Sequence, residues 1–207
     1  MNLKSEKSYL VAKYLLLNRA TSQTEISQNT QVAVGYVNEV VHYLSDLDIV
    51  RIDYGETRLV DYARLLDKIS LDRSFKRLIK ETIRLPASNI AKTEDMVSSY
   101  CKENNIRHAF TGFSGLRRYY EYHINYPMVH VYVQNHKGLN NLEKGEGITP
   151  VIILKTDRPD IMSESVTVNN LTVCGKIQVI IDLYSSGIGR DAAIKSYRDL
   201  IWKTGTY

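Results

Sequence analysis

The sequence predicts an α+β protein in two parts: a small helical domain that ends in a β-hairpin, then a larger mixed domain. Three observations predict it. Between Gln23 and Val50 a short polar helix, a tight connection and a longer amphipathic helix follow one another. Residues 49–53 and 57–60 then alternate as strands around Tyr54-Gly55-Glu56, which is turn chemistry. Beyond residue 87, strand and helix patterns mix with no repeating period, which favours α+β over a chain of βαβ units. The expected boundaries are a domain over 1–69, a basic connector over 70–86 that is either a tethering helix or an extended strand, and a C-terminal α+β domain over 87–207.

The first helix is expected from Ser5 to Asn18. Leu10, Tyr14 and Leu17, with Val11 and Leu15, recur at three- and four-residue spacing and form its apolar face. Ala20-Thr21 reads as a break. Ser22 followed by Glu25 has capping-box spacing, so a second helix starts at Gln23 and ends near Asn29. Val32 falls in the turn, where an apolar side chain must fill the angle between two helices.

The third helix, from about Ala33 to Ser45, decides the function of this domain. At a 100° step, Val34, Val37, Val40, Val41 and Leu44 share an arc of roughly 120° and read as the buried face. Opposite lie Gly35, Asn38, Glu39 and His42, with Tyr36 on the flank. A helix that reads the major groove needs small or polar groups on its outer N-terminal half. Gly35 permits close approach, Asn38 can pair with adenine, and Tyr36 can bond a phosphate or touch a thymine methyl. Glu39 can accept from cytosine but repels phosphate. With the hairpin behind it, the order of pieces is that of a winged helix-turn-helix, and Arg51 and Arg58 are the bases of its wing. Asp61 is placed to cap a further helix through Leu65 to about Ile69.

Charge is unevenly spread over a chain of net charge +4. Residues 1–66 carry seven Lys/Arg against eight acids, while residues 67–85 carry six bases against three acids. The head alone therefore attracts phosphate weakly, and Arg77 and Lys80 of the connector are added to the expected DNA-binding residues. No apolar run approaches the roughly 18 residues of a membrane span, and the polar N-terminus is not that of a signal peptide. A cytoplasmic protein is expected. Cys101 and Cys174 lack metal or redox spacing and fit reduced thiols.

In the C-terminal domain, helices are expected over 93–104, from the Thr111–Gly115 turn to His123, over 175–186 and over 189–203. Strands are expected over 106–110, 128–133 and 150–154. The order strand, Thr-Gly-Phe-Ser turn, helix, strand is similar to a minimal nucleotidyltransferase core. That chemistry needs paired carboxylates for Mg²⁺ on the second strand, where this chain has His130 and Tyr132. A degenerate core without catalysis is expected, with no catalytic, cofactor or metal residues. Gly187-Ile-Gly-Arg-Asp-Ala192 matches a dinucleotide fingerprint only in form, since no strand and acid follow it; a helix-to-helix corner is the simpler reading. His108 reads as a core or rim residue. Tyr119, Tyr120, Tyr122 and Tyr126 read as core sooner than as a partner surface.

Three segments carry a resemblance to a known family. They are Val34-Gly-Tyr-Val-Asn-Glu-Val-Val-His-Tyr-Leu44, the wing Gly55-Glu-Thr-Arg-Leu-Val-Asp61, and His108-Ala-Phe-Thr-Gly-Phe-Ser-Gly-Leu116. With Ile177–Tyr184 and Gly189–Ala193, they resemble the AbiEi-like antitoxin and transcriptional-regulator family over nearly the whole chain. The resemblance implies a winged-helix head on an antitoxin domain, in a protein that represses its own operon and counteracts a nucleotidyltransferase-like toxin. The chain departs from the family at Asn38 and Glu39. The implied partners are double-stranded operator DNA and a toxin protein, and a homodimer is compatible with such binding. Two alternatives stay open: a stand-alone regulator without a toxin, and a protein-interaction module that docks through the winged helix.

Overall fold

The computed structural model describes residues 1–120, 126 and 128–203. It is a mixed α+β structure with two sheets, and it divides into two compact units. One comprises Met1–Ser74 and the C-terminal segment from Ala193; the other is Phe75–Ala192.

The first unit opens with helix α1 (Glu6–Leu17), capped by the Ser5 side chain, which accepts from the Ser8 backbone. Its buried face is Ser8, Tyr9, Val11, Ala12, Leu15 and Leu16; Leu17, expected inside, is exposed. The helix is apolar around most of its circumference, so spacing alone does not pick the inner side. Strand β1 (Ala20–Ser22) occupies the expected break. Helix α2 (Gln23–Thr30) follows with the expected Ser22–Glu25 capping box. Val32 is 2 % exposed and fills the turn. Helix α3 (Val34–Ser45) buries Val37, Val40, Val41 and Leu44.

Strands β2 (Val50–Asp53) and β3 (Glu56–Leu59) form a hairpin, closed by Tyr54 and Gly55 with φ of 45° and 87°. Two positive φ values make the mirror-image turn whose twist suits a two-residue hairpin. β1 pairs antiparallel with β3, so the sheet order is β1-β3-β2. Helix α4 (Tyr62–Asp72) is capped by Asp61 as expected but runs three residues past Ile69.

The C-terminal segment belongs to this unit and not to a C-terminal domain. Helix α9 (Arg190–Tyr197) continues into a π-turn, Arg198–Trp202. The fully buried Tyr197 donates its hydroxyl to the Leu16 carbonyl at 2.7 Å. Its ring lies 4.6 Å from Tyr62, and the Arg19 guanidinium sits 4.0 Å over Trp202. These contacts span nearly the whole chain, which no local pattern reveals.

The second unit is built on a six-stranded sheet in the order β4-β7-β6-β5-β9-β8: β4 (Ile79–Arg84), β5 (His108–Thr111), β6 (Val129–Val133), β7 (Pro150–Lys155), β8 (Val166–Val168) and β9 (Leu171–Val173). β6 and β7 are parallel, as are β5 and β9; the other pairs are antiparallel. The expected connector is therefore not a separate linker. Its first residues complete α4, a 3₁₀ turn covers Phe75–Leu78, and the remainder is the edge strand β4, bulged between Ile79 and Glu81. Charged residues such as Lys80 on an edge strand oppose unwanted strand pairing.

Helix α5 (Ile90–Glu103) packs Val97 and Cys101 against Val129, Val131, Val133, Phe110 and Ile153 on one sheet face. The period of two sends His130 and Tyr132 to the other face, where Tyr132 meets helix α8 (Lys176–Ser186). Helix α6 (Gly112–Leu116) is a single short helix after β5. The expected extension to His123, and Tyr122 of the tyrosine cluster, lie outside the described residues. A short helix α7 (Asp160–Ser163) follows β7. Gly187, with φ of 82°, ends α8 and makes the helix-to-helix corner expected there. Cys101 and Cys174 are buried, and His108 is buried at 6 %.

Candidate nucleic-acid interface

Helix α3 exposes Val34, Gly35, Asn38, Glu39 and His42, while Tyr36 is half-buried. Val34 corrects the sequence expectation: it is 52 % exposed. As the first helical residue it stands beyond the buried arc, because Val32 in the preceding turn already fills that corner. A Cβ built on Gly35 meets nothing within 4 Å. Glycine inside a helix costs about 1 kcal/mol relative to alanine, and no packing within the chain requires it here. The bare stretch of backbone faces outward.

Two expected contact residues are tied down. Tyr36 shares a hydrogen bond of 3.1 Å with the Ser5 hydroxyl. Asn38 donates through Nδ2 to Oε1 of Gln23 at 3.0 Å, joining α3 to the first turn of α2. That turn is held by the capping box. Glu25 Oε2 accepts from the Ser22 backbone and the Thr21 hydroxyl, both at 2.9 Å, and these bonds, the backbone one foremost, lower the Glu25 pKa. Gln23 escaped the sequence reading because only the fold brings it to Asn38.

On the hairpin, Arg51 lies directly across from Arg58, and both are exposed. Like charges opposite each other on adjacent strands destabilise a sheet. Arg58 is compensated by Glu56 at 2.6 Å, chiefly through a hydrogen bond that raises the Arg58 pKa. Asp53 and Glu56 share that sheet face, so it is basic only at its centre. Tyr54 stands wholly exposed at the tip. Arg77 and Lys80, expected as further contacts, are exposed residues of the second unit, on the 3₁₀ turn and at the β4 bulge. The first unit thus collects Gly35, Tyr36, Asn38, Glu39 and His42 on one helix and Arg51 and Arg58 on one hairpin.

The second unit contains a different polar cluster, wholly internal. Asp182 of α8 is fully buried and accepts from Thr111 Oγ1 at 2.8 Å, Gln178 Nε2 at 2.9 Å and the Tyr132 hydroxyl at 3.0 Å. Those bonds satisfy the carboxylate within the core. Two residues before Tyr132 on β6, His130 is 3 % exposed, its Nδ1 has no hydrogen-bond partner, and burial pushes its pKa down to about 4. A Cβ on Gly112 would lie 2.9 Å from that nitrogen. Elsewhere the buried Glu94 takes Arg117 at 2.9 Å, Arg118 at 3.3 Å and the Tyr126 hydroxyl at 2.9 Å. Among the described residues, no group of three or more His, Cys, Asp or Glu is placed to hold a metal ion, and no helix is long and apolar enough to cross a membrane.

Comparison of the chain with protein-family models, with curated proteins and with solved structures returned no match.

Proposed function

We propose that the first unit is a winged helix-turn-helix that binds double-stranded DNA, with α3 in the major groove and the β2–β3 hairpin on the flanking backbone. The observation that carries this reading is the outer face of α3. Gly35, Asn38, Glu39 and His42 are all exposed on one side of a helix whose opposite side is packed. Topology supports it: helix, strand, helix, helix, strand, strand, with the first strand closing the sheet in the order β1-β3-β2. The exposed Arg51 and Arg58, opposite each other on the hairpin, add support, because such side chains supply the phosphate contacts that position a protein on DNA.

The larger role follows from the family resemblance. The protein is an autorepressor of the antitoxin type, whose second unit counteracts a nucleotidyltransferase-like toxin. That unit is a core of nucleotidyltransferase lineage without catalysis. In support, β5 runs directly into α6 and β6 follows, and β6 carries His130 and Tyr132 where a Mg²⁺ site needs carboxylates. A second reading, docking of a protein through the same helix, is favoured by the exposed acids Glu39, Asp46 and Asp48.

Enrichment of a randomised duplex library, followed by anisotropy titration over a range of salt, separates the two readings. DNA binding predicts affinity for the enriched duplex at least about tenfold above a scrambled one. It also predicts that log K falls linearly with log salt. Equal affinities, or binding insensitive to salt, would remove the DNA reading.

A further inference from the structure

We infer that Gln23 is a positioning residue that orients the Asn38 amide for adenine, so that base preference at this position depends on a residue of α2. The inference rests on the DNA-binding reading and deepens it.

An asparagine amide offers two Nδ2 hydrogens and the lone pairs of Oδ1. The major-groove edge of adenine presents N7 as acceptor and the N6 amino group as donor, side by side. Reading it takes one Nδ2 hydrogen and Oδ1 together. In this structure Gln23 Oε1 accepts from Asn38 Nδ2 at 3.0 Å. Where that bond takes the hydrogen remote from Oδ1, the other stands beside Oδ1, the pair adenine requires. Because the bond comes from the acceptor end of Gln23, a flipped Asn38 amide would present Oδ1 to Oε1 and lose it. The flipped state would also exchange donor and acceptor toward the base. As long as Oε1 of Gln23 faces α3, Gln23 thereby favours one of the two amide orientations.

Gln23 is itself well held. It is the first residue of α2, immediately after the capping serine, and the Ser22–Glu25 box fixes the backbone there with bonds of 2.9 Å and 3.1 Å. On the flank of α3, the Tyr36–Ser5 bond ties the same helical turn to α1. An exposed asparagine would otherwise sample several rotamers, and fixing it in advance removes an ordering cost from binding. The cap therefore reaches the base edge through two side chains, Gln23 and then Asn38.

The test uses the full chain and the duplex enriched by the wild-type protein, with every base pair of that duplex varied in turn. Gln23→Ala is expected to reduce discrimination for A·T by about tenfold at the position where Asn38→Ala also reduces it, with the salt slope unchanged. In an Asn38→Ala background, Gln23→Ala should remove nothing further. Gln23→Glu keeps an acceptor oxygen for Nδ2 and should preserve the discrimination ratio, even where its charge weakens all sequences. Matching melting curves show that the variants remain folded. If Gln23→Ala keeps the preference that Asn38→Ala loses, the positioning role is wrong and DNA reading stands. If Gln23→Ala weakens all sequences equally and leaves the A·T preference intact, Gln23 is a neutral backbone contact and the inference fails. A preference at that position for a base pair other than A·T overturns the adenine assignment. A wild-type protein without any sequence preference overturns both readings at once.

Discussion

Replacing His130 tests the packing of the second unit through a dependence on pH. His130 is 3 % exposed on β6, its ring meets Phe75 edge-on at 5.3 Å, and its Nδ1 lacks a partner. Burial lowers its pKa from 6.5 to about 4. The folded state therefore binds this proton only near pH 4, whereas the unfolded chain binds it near 6.5. Stability from the neutral ring is complete above about pH 6.5 and is lost as pH falls toward 4. A shift of that size corresponds to about 3 kcal/mol at the acid end, of which about 2–3 kcal/mol is lost by about pH 4.5. Leucine has similar volume, carries no proton and leaves no orphaned nitrogen. Urea unfolding of the second unit, followed by circular dichroism while Trp202 fluorescence reports on the first unit, gives the comparison. His130→Leu should match or exceed wild-type stability at about pH 7.5, and its advantage should widen by about 2–3 kcal/mol on acidification. Carboxylate titrations are common to both proteins and cancel in the difference. An advantage that does not change with pH would refute the burial of a neutral His130.

Further outcomes follow from the same geometry. Gly112→Ala should destabilise the second unit by about 1–3 kcal/mol in urea unfolding, because φ is +59° and the new methyl meets His130 Nδ1 at 2.9 Å. Arg51→Ala should weaken binding to all duplexes alike and lower the salt slope by about one ion. Glu56→Gln frees Arg58 from its 2.6 Å partner and should strengthen binding uniformly in the same titration. With His130 and Tyr132 on β6, incubation with Mg²⁺ and any labelled nucleoside triphosphate should leave no label on protein or RNA; label that disappears in a His130→Ala protein would reverse that assignment.

The elements that read well from sequence are those whose burial follows one clean period. α3, the Tyr54-Gly55 hairpin and the Ser22–Glu25 and Asp61 caps are local patterns, and each stands close to where its residues place it. β1 escaped because Ala-Thr-Ser has no strand signature, and it is a strand only through pairing with Glu56, Thr57 and Arg58. β4 was legible only as one of two alternatives for the connector, helix or extended strand, because an edge strand with one buried residue, Ile83, shows no alternation. Leu71 misleads in the opposite sense: it looks like a core residue and is 78 % exposed on α4. The return of the C-terminal segment to the first unit depends on Tyr197 reaching Leu16, a contact without local trace. At the candidate interface the outward residues of α3 were legible as a helical arc. The Gln23–Asn38 bond was not, since side chains fifteen residues apart meet only once α2 and α3 are packed.

The most direct test of groove reading compares Asn38→Ala with Arg77→Ala and Lys80→Ala on the enriched duplex and its single-position variants. If α3 reads DNA, Asn38→Ala costs about 1–3 kcal/mol at one base pair and relaxes preference there. Arg77→Ala and Lys80→Ala would then weaken every duplex to the same modest extent. If instead Asn38→Ala is neutral while Arg77→Ala and Lys80→Ala abolish binding, the DNA surface lies on the basic edge of the second unit, and α3 is a docking helix.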